Sequence, residues 1–155
     1  MGNGSIIRPG DVQRMSAGTG VVHSEYNQSQ IDTVHFLQIW IMPDKEGIQP
    51  GYEQKFFPPE DKRGRLRIIS SPDGRDGSVR IQQDALMFSA LVDGDERLEH
   101  GIADGRVAYV HVARGNITVN GEALKSGDAL KIHDEPMVTF EQGEQAEVLL
   151  FDLPL

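Results

Sequence analysis

The fold class is indicated most clearly by two neighbouring runs, Val107-Ala108-Tyr109-Val110-His111-Val112 and Arg114-Gly115-Asn116-Ile117-Thr118-Val119-Asn120-Gly121. Both apolar runs are rich in valine, isoleucine and tyrosine, residues that favour strands. An Asn-Gly pair between β-forming runs is typical of a two-residue type I′ turn. The stretch therefore predicts strands followed by a β-hairpin, with Ala123-Leu124 on the returning strand.

Similar short runs occur along the rest of the chain, separated by seventeen glycines and eight prolines. No segment keeps a helical period, so we expect one or two short helical turns at most. Short strands with turn signals at this spacing predict an all-β sandwich or barrel. The further predicted strands are residues 34–41, 66–69, 79–81, 86–91 and 148–151.

The composition limits the possible functions. A net charge of -9 argues against direct binding of nucleic acid, because phosphate contacts need clustered Lys and Arg. There are no cysteines, which excludes disulfides, thiolate nucleophiles and Cys-ligated metals. No apolar run resembles a signal core or a membrane span, so we expect a cytoplasmic protein that does not bind membranes. The basic cluster at residues 62–67 predicts a solvated face, with ligand binding as the alternative.

One short segment resembles half of a metal site. His23 and Glu25 stand two residues apart in the run Gly20-Val21-Val22-His23-Ser24-Glu25-Tyr26-Asn27-Gln28. If this run is a strand, both side chains share one face. An imidazole nitrogen and a carboxylate oxygen suit a borderline divalent metal. Two ligands are too few for a catalytic site, and the alternative is a polar, half-exposed strand that holds water.

The other histidines are weaker candidates. His35 stands among large apolar residues, which predicts a core or interface position rather than a ligand. His100 and His133 fall near predicted turns and are expected to be solvated. His111, between two valines, is expected to be a strand residue with a hydrogen-bonding partner.

An internal repeat relates the two halves of the chain. Pro9-Gly10-Asp11 recurs as Ser126-Gly127-Asp128, and overlaying the two copies with a one-residue gap places Thr139 and Glu141 where His23 and Glu25 stand. The second copy has therefore lost its imidazole. The later part of the chain predicts a barrel without metal ligands.

These motifs resemble those of pirins, which are proteins with two cupin barrels. The run Arg8-Pro9-Gly10-Asp11-Val12-Gln13-Arg14-Met15-Ser16-Ala17-Gly18-Thr19-Gly20, followed by His23-Ser24-Glu25, is similar to the second half of the pirin metal motif. The resemblance covers essentially the whole chain. Three more segments carry it: Asp73-Gly74-Arg75-Asp76-Gly77-Ser78, Arg114-Gly115-Asn116-Ile117-Thr118-Val119-Asn120-Gly121 and Glu147-Val148-Leu149-Leu150-Phe151-Asp152-Leu153.

The resemblance implies an all-β cupin fold, a double-stranded β-helix or jelly-roll-like barrel. It predicts that residues 1–47 are a remnant of the metal-bearing N-terminal cupin, that 48–60 are a linker, and that 61–155 form the C-terminal barrel. Pirins bind the metal through a His-x-His pair and then a His and a Glu. The last two correspond to His23 and Glu25, and the first pair has no counterpart in this sequence.

Two functions follow as alternatives from the resemblance. In one, the chain is a metal-dependent dioxygenase of the quercetinase type that acts on a flavonol-like small molecule. His23 and Glu25 would then be ligands, and Glu25 also the catalytic base. Iron is the metal that the family implies, and nickel or zinc also suits these donors. In the other, it is a non-catalytic pirin-like module without metal.

The incomplete first barrel also predicts a partner. Its apolar side chains, among them Phe36 and Trp40, would lack the strands that normally cover them. We expect a homodimer formed through this region, although packing on the C-terminal barrel is an alternative. A symmetric dimer can bring two copies of the His23 and Glu25 pair together.

Overall fold

A computed structural model describes residues 4–155. Residues 1–3 of the predicted N-terminal remnant lie outside this range. Two strands, β1 (Asp11–Ser16) and β2 (Gly51–Phe56), form a separate antiparallel ribbon. A four-residue helix α1 (Pro59–Lys62) and a 3-10 turn (Arg75–Gly77) are the helical elements of the described chain, as the absence of a helical period predicted.

The remaining strands form one eight-stranded sheet that curls around a core. The strands are β3 (Arg67–Ser71), β4 (Val79–Arg80), β5 (Leu86–Gly94), β6 (Leu98–Gly101), β7 (Arg106–Val119), β8 (Glu122–Lys125), β9 (Ala129–Ile132) and β10 (Met137–Pro154). In order along the sheet, β4, β3, β5, β10, β7 and β8 are neighbours, while β6 pairs with β10 and β9 with β7. The fold is the cupin barrel that the sequence predicted.

Alternation along β10 separates the two faces of the barrel wall. Val148 and Leu150 are fully buried in the interior cluster, whereas Leu149 and Phe151 join a second cluster on the outer face. Successive strand residues point to opposite faces, so a run that is apolar at every position is buried on both sides. The outer cluster includes Phe57, which follows the ribbon.

The predicted hairpin is confirmed. Val119 pairs with Glu122, and the two turn residues Asn120 and Gly121 have φ angles of 47° and 83°. Positive φ at both central positions defines the type I′ turn. The two runs before it form a single strand, β7. Gly115 allows this, because a φ of 71° lets the strand continue past an irregularity in its pairing with β10.

Two strand predictions in the N-terminal region were wrong. Residues 20–28 and 34–41 belong to no strand. An isolated run of β-formers has no partner for its amide and carbonyl groups, and a strand exists only as part of a sheet. The segment predicted as a linker at 48–60 contains β2, which pairs with β1. The boundaries between cupin units stay a prediction.

Hydrogen bonds attach the ribbon to the edge of the barrel, and ion pairs within the ribbon hold the side chains that make them. Glu53 on β2 accepts a hydrogen bond of 3.1 Å from the Arg80 amide and lies 2.9 Å from Lys55 Nζ. Arg14 on β1 donates to the Arg80 carbonyl over 3.1 Å. Burial acts to raise the pKa of Glu53, but its contacts with Lys55, Arg80 and Arg14 outweigh burial and lower the pKa.

Candidate metal half-site

His23 and Glu25 lie in the long segment between β1 and β2, and both are exposed. This segment leaves β1 through a turn in which the Gly20 amide donates to the Ala17 carbonyl over 2.8 Å. A second turn follows at residues 27–32, where the Asn27 side chain donates 2.7 Å to a backbone carbonyl oxygen. The candidate ligands therefore lie between two hydrogen-bonded turns.

The shared face predicted for this pair depended on a strand that the structure does not contain. Their role as ligands stays a proposal. Within residues 4–155, no three His, Asp or Glu side chains come together as a group that could hold a metal ion. Two donors, one nitrogen and one oxygen, fit half of a divalent metal site and do not fit a complete catalytic one.

The other histidines provide no further ligand beside this pair. His35 is exposed, so the expected core position is wrong, while an interface position stays a prediction. His133 is exposed and lies 2.7 Å from an Asp134 carboxylate oxygen, in agreement with the expected solvated position. His111 is half-buried on the outer face of β7.

An apolar cavity of about 320 Å³ lies on that outer face. Leu37 and Ile39, which precede β2, line one side of it, and Tyr109, His111 and Phe151 line the barrel side. The Tyr109 and Phe151 rings meet edge to face at 5.8 Å. Residues 37–39 therefore lie against the barrel wall, although many large side chains of residues 34–41 stay in solvent.

A polar cluster at one end of the C-terminal barrel was not predicted. Asp152 on β10 is buried and accepts hydrogen bonds from Arg106 on β7. His100 Nε2 on β6 lies 2.8 Å from the second carboxylate oxygen of Asp152. The expectation that His100 is solvated was therefore wrong. The burial of Asp152 could have been predicted from the alternation along β10, because Asp152 stands two residues after Leu150 and shares its inward face.

The carboxylates of this cluster stabilise the positive charge of Arg106. Burial acts to lower the pKa of Arg106, but the hydrogen bond and charge of Asp152 and the nearby Asp84 outweigh burial and raise it. The His100 ring also contacts Phe88, with ring centroids 4.9 Å apart. Asp152 therefore contacts both Arg106, its ion-pair partner, and His100, whose ring packs against Phe88.

Two family models match the chain. The quercetinase C-terminal cupin domain matches residues 68–153, and the pirin model matches residues 1–41. The quercetin 2,3-dioxygenase of Escherichia coli K12 is 43% identical over 154 residues, which cover 99% of this chain and 65% of that protein. The chain thus spans about two thirds of the length of this curated relative.

Solved structures agree with this result. YhhW from Escherichia coli superimposes with a TM-score of 0.92 at 42% identity, covering 99% of this chain and 64% of that one. A structure of the bacterial pirin YhhW in complex with nickel(II) gives a TM-score of 0.86 at 43% identity, covering 94% and 62%.

In the described residues, no helix is long and apolar enough to cross a membrane.

The C-terminal cupin model alone covers more than half of the sequence, and it matches the part of the chain that forms the barrel. The chain belongs to the pirin family of cupin proteins.

Proposed function

We propose that this chain is a pirin-family module that contributes His23 and Glu25 as half of a divalent metal site, without catalysing dioxygenation by itself. The observation that supports this is that both side chains are exposed and that, among residues 4–155, no three His, Asp or Glu side chains form a group that could hold a metal ion. With two protein ligands, water fills the rest of the coordination sphere, and the metal is held weakly.

Each residue has a distinct role in this proposal. His23 provides a neutral imidazole nitrogen, and Glu25 a carboxylate oxygen. A metal bound there would supply Lewis-acid and redox chemistry. Only in the dioxygenase alternative described below would Glu25 also act as the base for the acidic hydroxyl of a flavonol-like molecule. Iron is the metal that the family implies, and the nickel(II) complex of the Escherichia coli pirin supports nickel for this donor pair.

The test is metal content together with flavonol turnover. We expect the purified chain to retain well under one equivalent of iron, nickel or zinc and to show no oxygen-dependent loss of quercetin. Weak binding of added nickel, measured by calorimetry, should disappear in His23→Ala and persist in His133→Ala, a matched exposed histidine. Turnover by the wild type that His23→Ala abolishes would contradict the proposal.

A second candidate is an active dioxygenase whose metal site is completed across a homodimer. The observation that favours it is the exposed apolar run that follows the half-site along the chain. Trp40 is 88% exposed and Phe36 is 52% exposed, while Val34 and Ile39 also reach solvent. Such a run in contact with water is typical of an interaction surface. A symmetric dimer would bury it in both copies.

The dimer and the metal can be tested separately. Light scattering with and without nickel reports the mass, and Trp40→Glu places a charge in the apolar run. The dimer candidate predicts a mass of two chains, one metal per two chains, and loss of both in Trp40→Glu. A monomer at all concentrations would eliminate this candidate and leave the non-catalytic module.

The cytoplasmic location stays a prediction.

A further inference from the structure

A cavity of about 460 Å³ opens between the start of β3, the 3-10 turn and β5. Its apolar lining consists of Leu66, Ile68, Leu86 and Phe88, of which Leu66 and Phe88 also pack against the interior cluster of the barrel. The volume falls in the range of small-molecule sites. The cavity therefore reaches the end of the barrel rather than lying on an isolated surface patch.

Three arginines, Arg65, Arg67 and Arg75, line the same cavity. Arg75 is paired with Asp73 at 2.9 Å. Arg67 donates a hydrogen bond of 2.6 Å to the Asp76 backbone carbonyl. Within residues 4–155, neither Arg67 nor Arg65 forms an ion pair with a carboxylate. In a chain with 24 acidic and 15 basic residues, two unmatched arginines in one cavity are unexpected.

The position of Arg67 is well defined. Its guanidinium lies over the Phe57 ring, 5.4 Å from the centroid. Among residues 4–155, its Nε is buried and has no hydrogen-bond partner. Asp61 and Asp76 also line the cavity and offset part of the positive charge. A guanidinium held in place by an aromatic ring is prepared to bind an anion with little loss of side-chain entropy.

The cavity also adjoins the polar cluster of the barrel. Phe88 lines the cavity and contacts the His100 ring at 4.9 Å. Leu86, also a lining residue, is the direct strand partner of Asp152. Arginines and apolar residues therefore line the same cavity. Two of the apolar residues, Phe88 and Leu86, are held in place by contacts with His100 and Asp152.

We propose that this cavity of the C-terminal barrel binds a small organic carboxylate with an apolar, ring-sized body. Arg65 and Arg67 would bind the carboxylate, because guanidinium matches its two oxygens. Leu66, Leu86 and Phe88 would pack against the body. The site is separate from His23 and Glu25, and the proposal does not depend on a bound metal.

The experiment is a titration of the metal-free chain with phenylacetate, followed by 1H–15N correlation spectra. We expect saturable shifts at Arg65, Leu86 and Phe88, with a dissociation constant in about the millimolar range for a ligand of this size. Arg65→Gln should weaken binding about tenfold, as loss of a hydrogen bond to a charged group does. Arg65 is exposed, so the variant should fold.

Three controls make the result decisive. Arg63→Gln changes a neighbouring exposed arginine that does not line the cavity, and it should bind like the wild type. Neutral 2-phenylacetamide and the small anion acetate should each bind more weakly than phenylacetate. Any of three results overturns the proposal: no saturable shifts, equal binding by the amide, or equal loss in Arg63→Gln and Arg65→Gln.

Discussion

Residues 34–41 and residues 107–112 have similar sequences but different structures. Both runs combine β-branched and aromatic residues with one histidine. Residues 107–112 pair with β10 on one side and, over most of their length, with β9 on the other, and Val110 and Val112 are fully buried. Residues 34–41 pair with nothing in the described chain and leave Trp40 in solvent. Strand propensity alone therefore does not form a strand, because the hydrogen bonds come from neighbours.

The repeated motif shows the same contrast at single positions. Thr139, which corresponds to His23, lies on β10, and its amide donates 2.6 Å to the Asn120 side chain. Glu141, which corresponds to Glu25, accepts a hydrogen bond of 3.3 Å from Arg97. The barrel fixes both side chains. The N-terminal copy keeps the metal-type side chains but lacks the sheet that would fix them.

The strongest test of this contrast compares two aromatic truncations. Phe140→Ala should lower the free energy of unfolding by about 3–5 kcal/mol, because the side chain is fully buried in the barrel. Trp40→Ala should change it by less than about 0.5 kcal/mol, since that side chain is exposed. Urea unfolding measures both. A large loss in Trp40→Ala would mean that a second surface covers the N-terminal segment.

The buried ion pair should give a smaller effect. Asp152→Ala removes the buried carboxylate partner of Arg106, which keeps only the exposed Asp84, and should lower the free energy of unfolding by about 2–3 kcal/mol. Asp104→Ala is the matched control, because that residue is exposed and does not have a positive φ, so the change should be neutral. Thermal unfolding of both variants gives the comparison. If Asp152→Ala were also neutral, the cluster would not stabilise the end of the barrel.

Attachment of the ribbon should depend on pH through Glu53. Its folded pKa lies below the ordinary value of 4.5, so its contribution is present above that value and is lost as the pH falls through the folded pKa. The change in the free energy of unfolding should be below about 1 kcal/mol, because Glu53 and its partner Lys55 are partly exposed. Protection factors for amide exchange at residues 11–16, corrected for the intrinsic slowing of exchange at low pH, should fall at acid pH in the wild type. Glu53→Gln should show low protection factors at both pH values, and a pH response equal to that of the wild type would argue against this role.

The smallest effect concerns a single exposed carboxylate. The hydrogen bonds from the Arg75 side chain and backbone hold the pKa of Asp73 at about 2. Carbon-13 titration should show this midpoint, and Arg75→Gln should move it toward 3.8. Global stability should stay unchanged in the variant, since both groups are exposed. An unchanged midpoint would show that the pair does not form in solution.

Predictions from sequence succeeded where local chemistry decides the outcome. Asn120 and Gly121 predicted the turn because these residues accept positive φ with little strain. The β-rich runs from residue 66 onward predicted strands correctly because each finds a neighbour in the sheet. The same reasoning failed at residues 20–28 and 34–41, where no neighbour is present. The environment of His100 was also missed, because its contacts with Phe88 and Asp152 join distant parts of the chain.

Residue types and short spacings were enough to predict the family, the all-β class, the hairpin and the candidate ligands His23 and Glu25. These features depend on residue type and on spacing over a few positions. The three-dimensional fold was needed to show which β-forming runs become strands and that Asp152 is buried beside Arg106 and His100. It was also needed to show that Arg65 and Arg67 line one cavity with Phe88. Strand pairing, burial and charge contacts depend on residues far apart in sequence, and a local pattern does not specify them.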